Sequence, residues 1–290
     1  MVDDVLKSIE AMPAFPGAAL QVLNLIGKGD YSIADMVNVI KFDPSITANI
    51  LKLSNSAFFR ASQKVTTIHE AVVNLGQQNL LQVVQTAGVS VFYKRPAKGY
   101  LIKPRALWKH CVAVALMSQI LSRKIYHRED PVLYTAALLH DVGKIVLGEF
   151  IYKSLEKIAD LVTKRGYTLL AAEKKVIGID HAELGGKIAE FWNFPPGLRD
   201  AIILHHNPGQ LSEQDAGEGK SGKATAALIY LADQVCVMIG LNGGSDSYSR
   251  SGLEEMLTAF RLQRKDLDMA VVLLQDGLKQ AQDLIDVVPE

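Results

Sequence analysis

The chain has 290 residues, of which 49% are apolar and 21% charged, with Lys plus Arg and Asp plus Glu both at 31. That length and composition suit a soluble globular protein with a substantial core, in one large domain or two modest ones. A net charge of zero removes the electrostatic case for nucleic acid or an anionic membrane as the main partner.

Helical punctuation recurs from the first residues onward. The start, Met1-Val-Asp-Asp-Val-Leu-Lys7, lacks the basic and apolar regions of a signal peptide, and no apolar run approaches the roughly 18 residues that span a bilayer, so a cytoplasmic protein is predicted. Val5, Ile9 and Met12 recur at helical spacing, as do Leu20, Leu23 and Ile26. Ser32-Ile-Ala-Asp35 and Thr67-Ile-His-Glu70 read as N-terminal caps, Asp43-Pro44 as a cap followed by proline at the first helical position, and Gly76 as a helix stop. Residues 1 to about 100 thus predict some five short helices, ending in the loop Lys94-Arg-Pro-Ala-Lys-Gly99. Residues 101–241 predict longer, more apolar helices carrying most of the histidines, and Cys111 and Cys236 within them read as small buried hydrophobes rather than a disulfide framework. Residues 207–222 and 242–252, rich in Gly, Ser and Asp, predict surface loops. From Leu253 to residue 290 one or two amphipathic helices are expected, lying against the body. Hairpin signals and strand-like alternation are lacking, so the expected fold is all-α.

The chemistry concentrates in the histidines. His69 lies in a capping box and His127 in the polar run Tyr126-His-Arg-Glu-Asp130, which places both at the surface. His110, His140, His181, His205 and His206 stand in mostly apolar helical contexts, and so do Asp141 and Asp233. Each alone reads more readily as a hydrogen-bonded or salt-bridged core residue than as a ligand. Together they would need many separate buried partners, whereas one metal centre serves them all. Neighbours such as His140 and Asp141 project about 100° apart on a helix, so neither that pair nor His205-His206 chelates as an i, i+4 pair; both can flank a site two metals wide.

The order His110, His140-Asp141, Asp233, with Leu139-His-Asp-Val-Gly-Lys144 at its centre, resembles the H…HD…D pattern of the HD superfamily of metal-dependent phosphohydrolases. His181 in His-Ala-Glu-Leu-Gly185 and the His205-His206 doublet resemble additional ligands of the HD-GYP branch. Met12-Pro-Ala-Phe-Pro16, Asp43-Pro44, Leu53-Ser-Asn-Ser-Ala57 and Glu70-Ala-Val-Val-Asn-Leu-Gly76 are similar to the HDOD domain. The resemblance implies a two-lobed helical bundle, an HDOD-type lobe over residues 1–100 followed by an HD-type lobe over 101–241. It also implies a bacterial signalling protein of a family that often has a degenerate metal site. By resemblance, His110, His140, Asp141 and Asp233 would hold one divalent metal. Asp141, bridging, would hold a second with His181, His205 and His206. No Gly-Tyr-Pro follows the doublet, which weighs against cyclic di-GMP as substrate, and Ala106 stands where some trinuclear relatives carry a carboxylate.

Imidazole and carboxylate ligands suit Fe, Mn, Ni, Co or Zn, and two such ions activate water and clamp a phosphoryl group. Lys144, three residues beyond Asp141, is the candidate neighbour for a phosphate oxygen, or else a cation closing a helix turn. Two functions follow: a regulatory module that binds a signalling protein partner, or a phosphohydrolase acting on a nucleotide, a cyclic nucleotide or another phosphorylated small molecule. Gly217-Glu-Gly-Lys-Ser-Gly-Lys223 has Walker A spacing, but Ala224 replaces Ser or Thr and no strand precedes it, so the segment reads as a loop.

Overall fold

The computed structural model describes residues 1–28, 32–41, 43–56, 64–207, 209, 212–219, 221–242 and 252–288. Among them the regular structure is helical, apart from one isolated bridge between Ala97 and Ile102. The N-terminal third forms α1 (Val2–Glu10), α2 (Gly17–Lys28), α3 (Ile33–Ile40), α4 (Pro44–Ser54) and α5 (Ile68–Ser90). Ser32 and Thr67 each close a reciprocal capping box, with Asp35 and Glu70 respectively, and Asp43 caps α4 ahead of Pro44. Gly76 breaks α5 at φ +70°, a left-handed value that favours glycine, but the chain resumes its helix at once. The stop is therefore a kink, because Leu80, Leu81, Val83 and Val84 beyond it have a core to enter.

The middle of the chain carries α6 (Pro104–Tyr126), α7 (Pro131–Leu139), α8 (Val142–Tyr152), α9 (Leu155–Arg165), α10 (Leu169–Ile177), α11 (His181–Phe191) and α12 (Pro196–Leu204). After it come α13 (Glu213–Glu218) and α14 (Gly222–Met238). Helix α13 corrects the expectation of an unbroken loop over 207–222: the Ser212 hydroxyl accepts from Asp215 N and starts a short helix that ends at Gly219. The Walker-like segment is accordingly the end of α13 and the Ser221 cap of α14. Most of the predicted loop over 242–252 lies outside the described residues.

The C-terminal region forms α15 (Leu253–Ala259), α16 (Arg264–Gln280) and the four-residue α17 (Gln282–Ile285), one element more than expected. Helices α16 and α17 lie on α6, where Trp108 Nε1 donates to Leu284 O at 2.9 Å. One apolar core runs from Val5 to Val288. The aromatic rings of Phe15, Phe92, Trp192 and Phe194 tie the N-terminal helices to the segment after α11. Cys111 and Cys236 are free and buried, as their apolar settings predict. No described helix is long and apolar enough to cross a membrane.

Candidate metal centre

Helix α12 packs on α14, α11 and α7, while α6 packs on α7 and α14, so five helices converge around the α7–α8 junction. Asp141 sits at that junction as the N-cap of α8, directly after His140, the C-cap of α7. His181 opens α11 behind its cap Asp180, and His205 closes α12. His110 comes from the middle of α6 and Asp233 from the middle of α14. The approach of α8 to α11 depends on Gly143, where a Cβ would lie 1.9 Å from His181 O and 2.9 Å from Gly185 N.

All seven candidate residues gather in this one region. Asp141, His181, His205 and His206 form one group whose ligand atoms lie within 4.8 Å of one another, and His110, His140 and Asp141 form a second. Asp233 joins through His110, with Oδ1 3.2 Å from Nε2. The two groups meet on opposite oxygens of one carboxylate. Asp141 Oδ2 lies 3.7 Å from His110 Nε2 and 3.5 Å from His140 Nε2; Oδ1 lies 3.5 Å from His181 Nε2 and 3.9 Å from His205 Nε2. His206 Nε2 approaches His181 Nε2 to 2.9 Å. His69 and the C-cap residue His127 are exposed and stand apart, as predicted.

Four of the five imidazoles, those of His110, His140, His181 and His205, are anchored by the other nitrogen. Nδ1 pairs with the carbonyl of Leu241 in His110, of Ala137 in His140 and of Ile202 in His205, at 2.6–2.7 Å. His181 Nδ1 pairs with Glu173 Oε2 at 2.8 Å, and Glu173 also accepts from His181 N and from the Tyr100 hydroxyl. An Nδ1–H donated outward leaves Nε2 with a lone pair directed inward, the arrangement a metal ligand requires. With the ring protons turned outward, the inward atoms face one another without a donor: His110 Nε2, His140 Nε2, His205 Nε2, Asp141 Oδ1 and Asp233 Oδ1 are buried and make no hydrogen bond, even where His110 and Asp233 lie 3.2 Å apart. Five orphaned polar atoms around one point are costly unless a cation completes them. The donor set therefore fits divalent metal.

The electrostatics agree for three of the five imidazoles, while at the other two a cation would compete with a proton. Burial holds the His140 imidazole below its ordinary pKa, takes His205 down to about 3 and takes His206 well down, so all three are neutral donors near neutral pH. Burial also opposes the charge on His110 and His181, but Asp233 and Glu173 respectively outweigh it and raise both. Burial would raise Asp141 too; Lys144 and the surrounding histidines instead hold its carboxyl well below the carboxylate range. Lys144 is fully buried, with Nζ 2.9 Å from Asp141 Oδ2 and 5.7 Å from the centre of the Tyr100 ring.

Two contributors escape a reading of the sequence. Glu173 lies between Ala172 and the lysine pair Lys174-Lys175, a context that reads as a solvated face. The Leu241 carbonyl is a backbone atom and leaves no sequence signal at all.

Fold and site define an all-α protein with a buried histidine–aspartate cluster of metal-ligand composition. A sequence profile of the HDOD domain matches residues 12–208, and the chain belongs to the HDOD domain family. Six of the seven candidates fall inside the match and Asp233 lies beyond it. An HDOD domain protein of unknown function from Geobacter sulfurreducens superposes with a TM-score of 0.74 at 22% identity, over 98% of this chain and 96% of that one. A candidate phosphohydrolase from Shewanella amazonensis SB2B gives a TM-score of 0.69 at 23% identity, over 97% of each chain. An uncharacterized protein of Treponema pallidum (strain Nichols) is 25% identical over 203 residues, 69% of this chain; the match spans only 38% of that relative's length.

Proposed function

We propose that this chain is a regulatory HDOD module of bacterial cytoplasmic signalling, built around a dinuclear metal centre. One observation carries the dinuclear reading: the two oxygens of Asp141 face separate pairs of histidine Nε2 atoms. In it His110, His140, Asp141 and Asp233 hold one divalent ion, and Asp141, His181, His205 and His206 the other. Bound there, the ions would supply Lewis acidity toward a phosphoryl group or a water molecule. The ions are Fe, Mn, Ni, Co or Zn by the chemistry of the ligands.

Burial favours a regulatory role over turnover. Six of the seven ligands are buried, and Lys144 directs its ammonium to Asp141 from a fully buried position instead of presenting it to a substrate. The helices of residues 1–100 supply the surface for a protein partner in this reading. The second reading, a phosphohydrolase acting on a nucleotide or cyclic nucleotide, is favoured by the full set of ligands and by His206, the one ligand that is only partly buried. Metal analysis of the purified chain, followed by assay on a generic phosphodiester, separates the two. Stoichiometric metal without turnover supports the regulatory module; metal-dependent turnover lost in Asp141→Ala would overturn it in favour of the enzyme.

A further inference from the structure

Helix α16 buries Leu267, Ala270 and Leu274 against the body, and its opposite face carries Lys265, Met269, Val272 and Asp276, all exposed. At 3.6 residues per turn these four fall within about 60° of arc, centred roughly opposite the buried face. Met269 is 61% and Val272 54% exposed, and Leu273 beside them is 50% exposed, so three large apolar side chains stand together in water. Scattered apolar residues on a surface are ordinary, but a contiguous helical stripe with charged ends marks an interaction site.

The order along the stripe selects the occupant. It reads basic, apolar, apolar, acidic, at i, i+4, i+7 and i+11. Reversed and laid against itself, it places Lys265 opposite Asp276, Met269 opposite Val272, and the same pairs again across a two-fold axis between residues 270 and 271. An isologous contact requires this kind of self-complementarity. Parallel alignment would instead set Lys265 against Lys265 and Asp276 against Asp276. The Asp276 carboxylate, 65% exposed and 3.4 Å from Lys279, remains open to a second cation.

We propose that the exposed face of α16 is a homodimer interface, in which two copies of this chain pair antiparallel through Met269, Val272 and Leu273, flanked by reciprocal Lys265–Asp276 ion pairs. The apolar centre supplies the attraction, and the charged ends set register and direction. A single helix on each side makes a small interface, so the dimer forms and dissociates with concentration.

Sedimentation velocity of the full chain over a concentration series tests this. A reversible monomer–dimer equilibrium is expected, abolished by Val272→Glu. Lys265→Glu, which sets acid against acid at both ends, should weaken association by at least about tenfold. Adding Asp276→Lys to it restores opposite charges and should recover most of the loss. Circular dichroism of each variant verifies that α16 is still folded, as expected for exposed positions. A chain that stays monomeric throughout the series, or a dimer indifferent to both Val272→Glu and Lys265→Glu, would overturn the proposal. The stripe would then be left to a different macromolecule or to solvent.

Discussion

The backbone of His181 lies against Gly143 so closely that a Cβ there would stand 1.9 Å from the carbonyl oxygen. Helix α8, headed by Asp141, and helix α11, headed by His181, therefore meet at a distance only glycine allows. Gly143→Ala should push them apart, destabilising the fold by at least about 3 kcal/mol, the upper range for overfilled cores. The same substitution should weaken metal retention by separating Asp141 from His181. Urea denaturation alongside metal content measures both. Full stability with full metal content would show that the contact is not limiting.

Glu173 accepts from both the backbone and the ring of His181. Replacing such a carboxylate partner costs on the order of 10–100-fold in metal affinity. Glu173→Ala should lose that much in a chelator competition titration. Glu173→Gln, which keeps an acceptor for Nδ1–H, should lose less. Equal affinity in all three proteins would refute a positioning role.

Among the described residues Lys144 is the one ammonium bonded to Asp141, and both groups are buried. Removing one partner of a buried pair costs about 3–5 kcal/mol because the other is left uncompensated. Lys144→Met should therefore be strongly destabilised in chelator-treated protein. Adding a divalent metal should recover part of the loss, since the cation supplies the missing positive charge. Denaturation midpoints with and without metal check this, and an unchanged midpoint in chelator would contradict it.

The capping box of α5 gives a prediction away from the site. The Thr67 hydroxyl accepts from Glu70 N, and Thr67→Ala should cost about 1 kcal/mol. Hydrogen bonds from Thr66 N and the Thr66 hydroxyl hold the Glu70 carboxyl below its ordinary pKa. A depressed carboxylate pKa adds stability above the unfolded value and loses it as pH falls through the folded value. The stability gap between the protein and Glu70→Gln should accordingly be widest at neutral pH and close in acid below the usual glutamate range. A gap that widened on acidification would contradict the assignment.

What the sequence reveals, and what it hides, follows from where each interaction is made. Thr67–Glu70 and Asp43-Pro44 are local devices, complete within four residues, and the structure uses them as read. His140-Asp141 and Asp233 stand out because polar groups interrupt apolar runs, and the helices bring them together. Glu173 is buried by Tyr100 and by the start of α11, through contacts made only in the folded chain. Gly76 shows the limit of a local signal: it marks the break in α5, while the core beyond it decides that the helix continues. Helix α13 was within reach, since Ser212 and Asp215 have cap spacing inside a segment that otherwise reads as loop.

In the proposed centre the two oxygens of Asp141 divide seven ligands between two metal sites. Elemental analysis of metal-reconstituted protein and three folded variants tests it most directly. Two ions per chain are expected in the parent, about one each in Asp233→Ala and His206→Ala, and none retained in Asp141→Ala. A single ion in the parent, or metal content unchanged in Asp141→Ala, would contradict it.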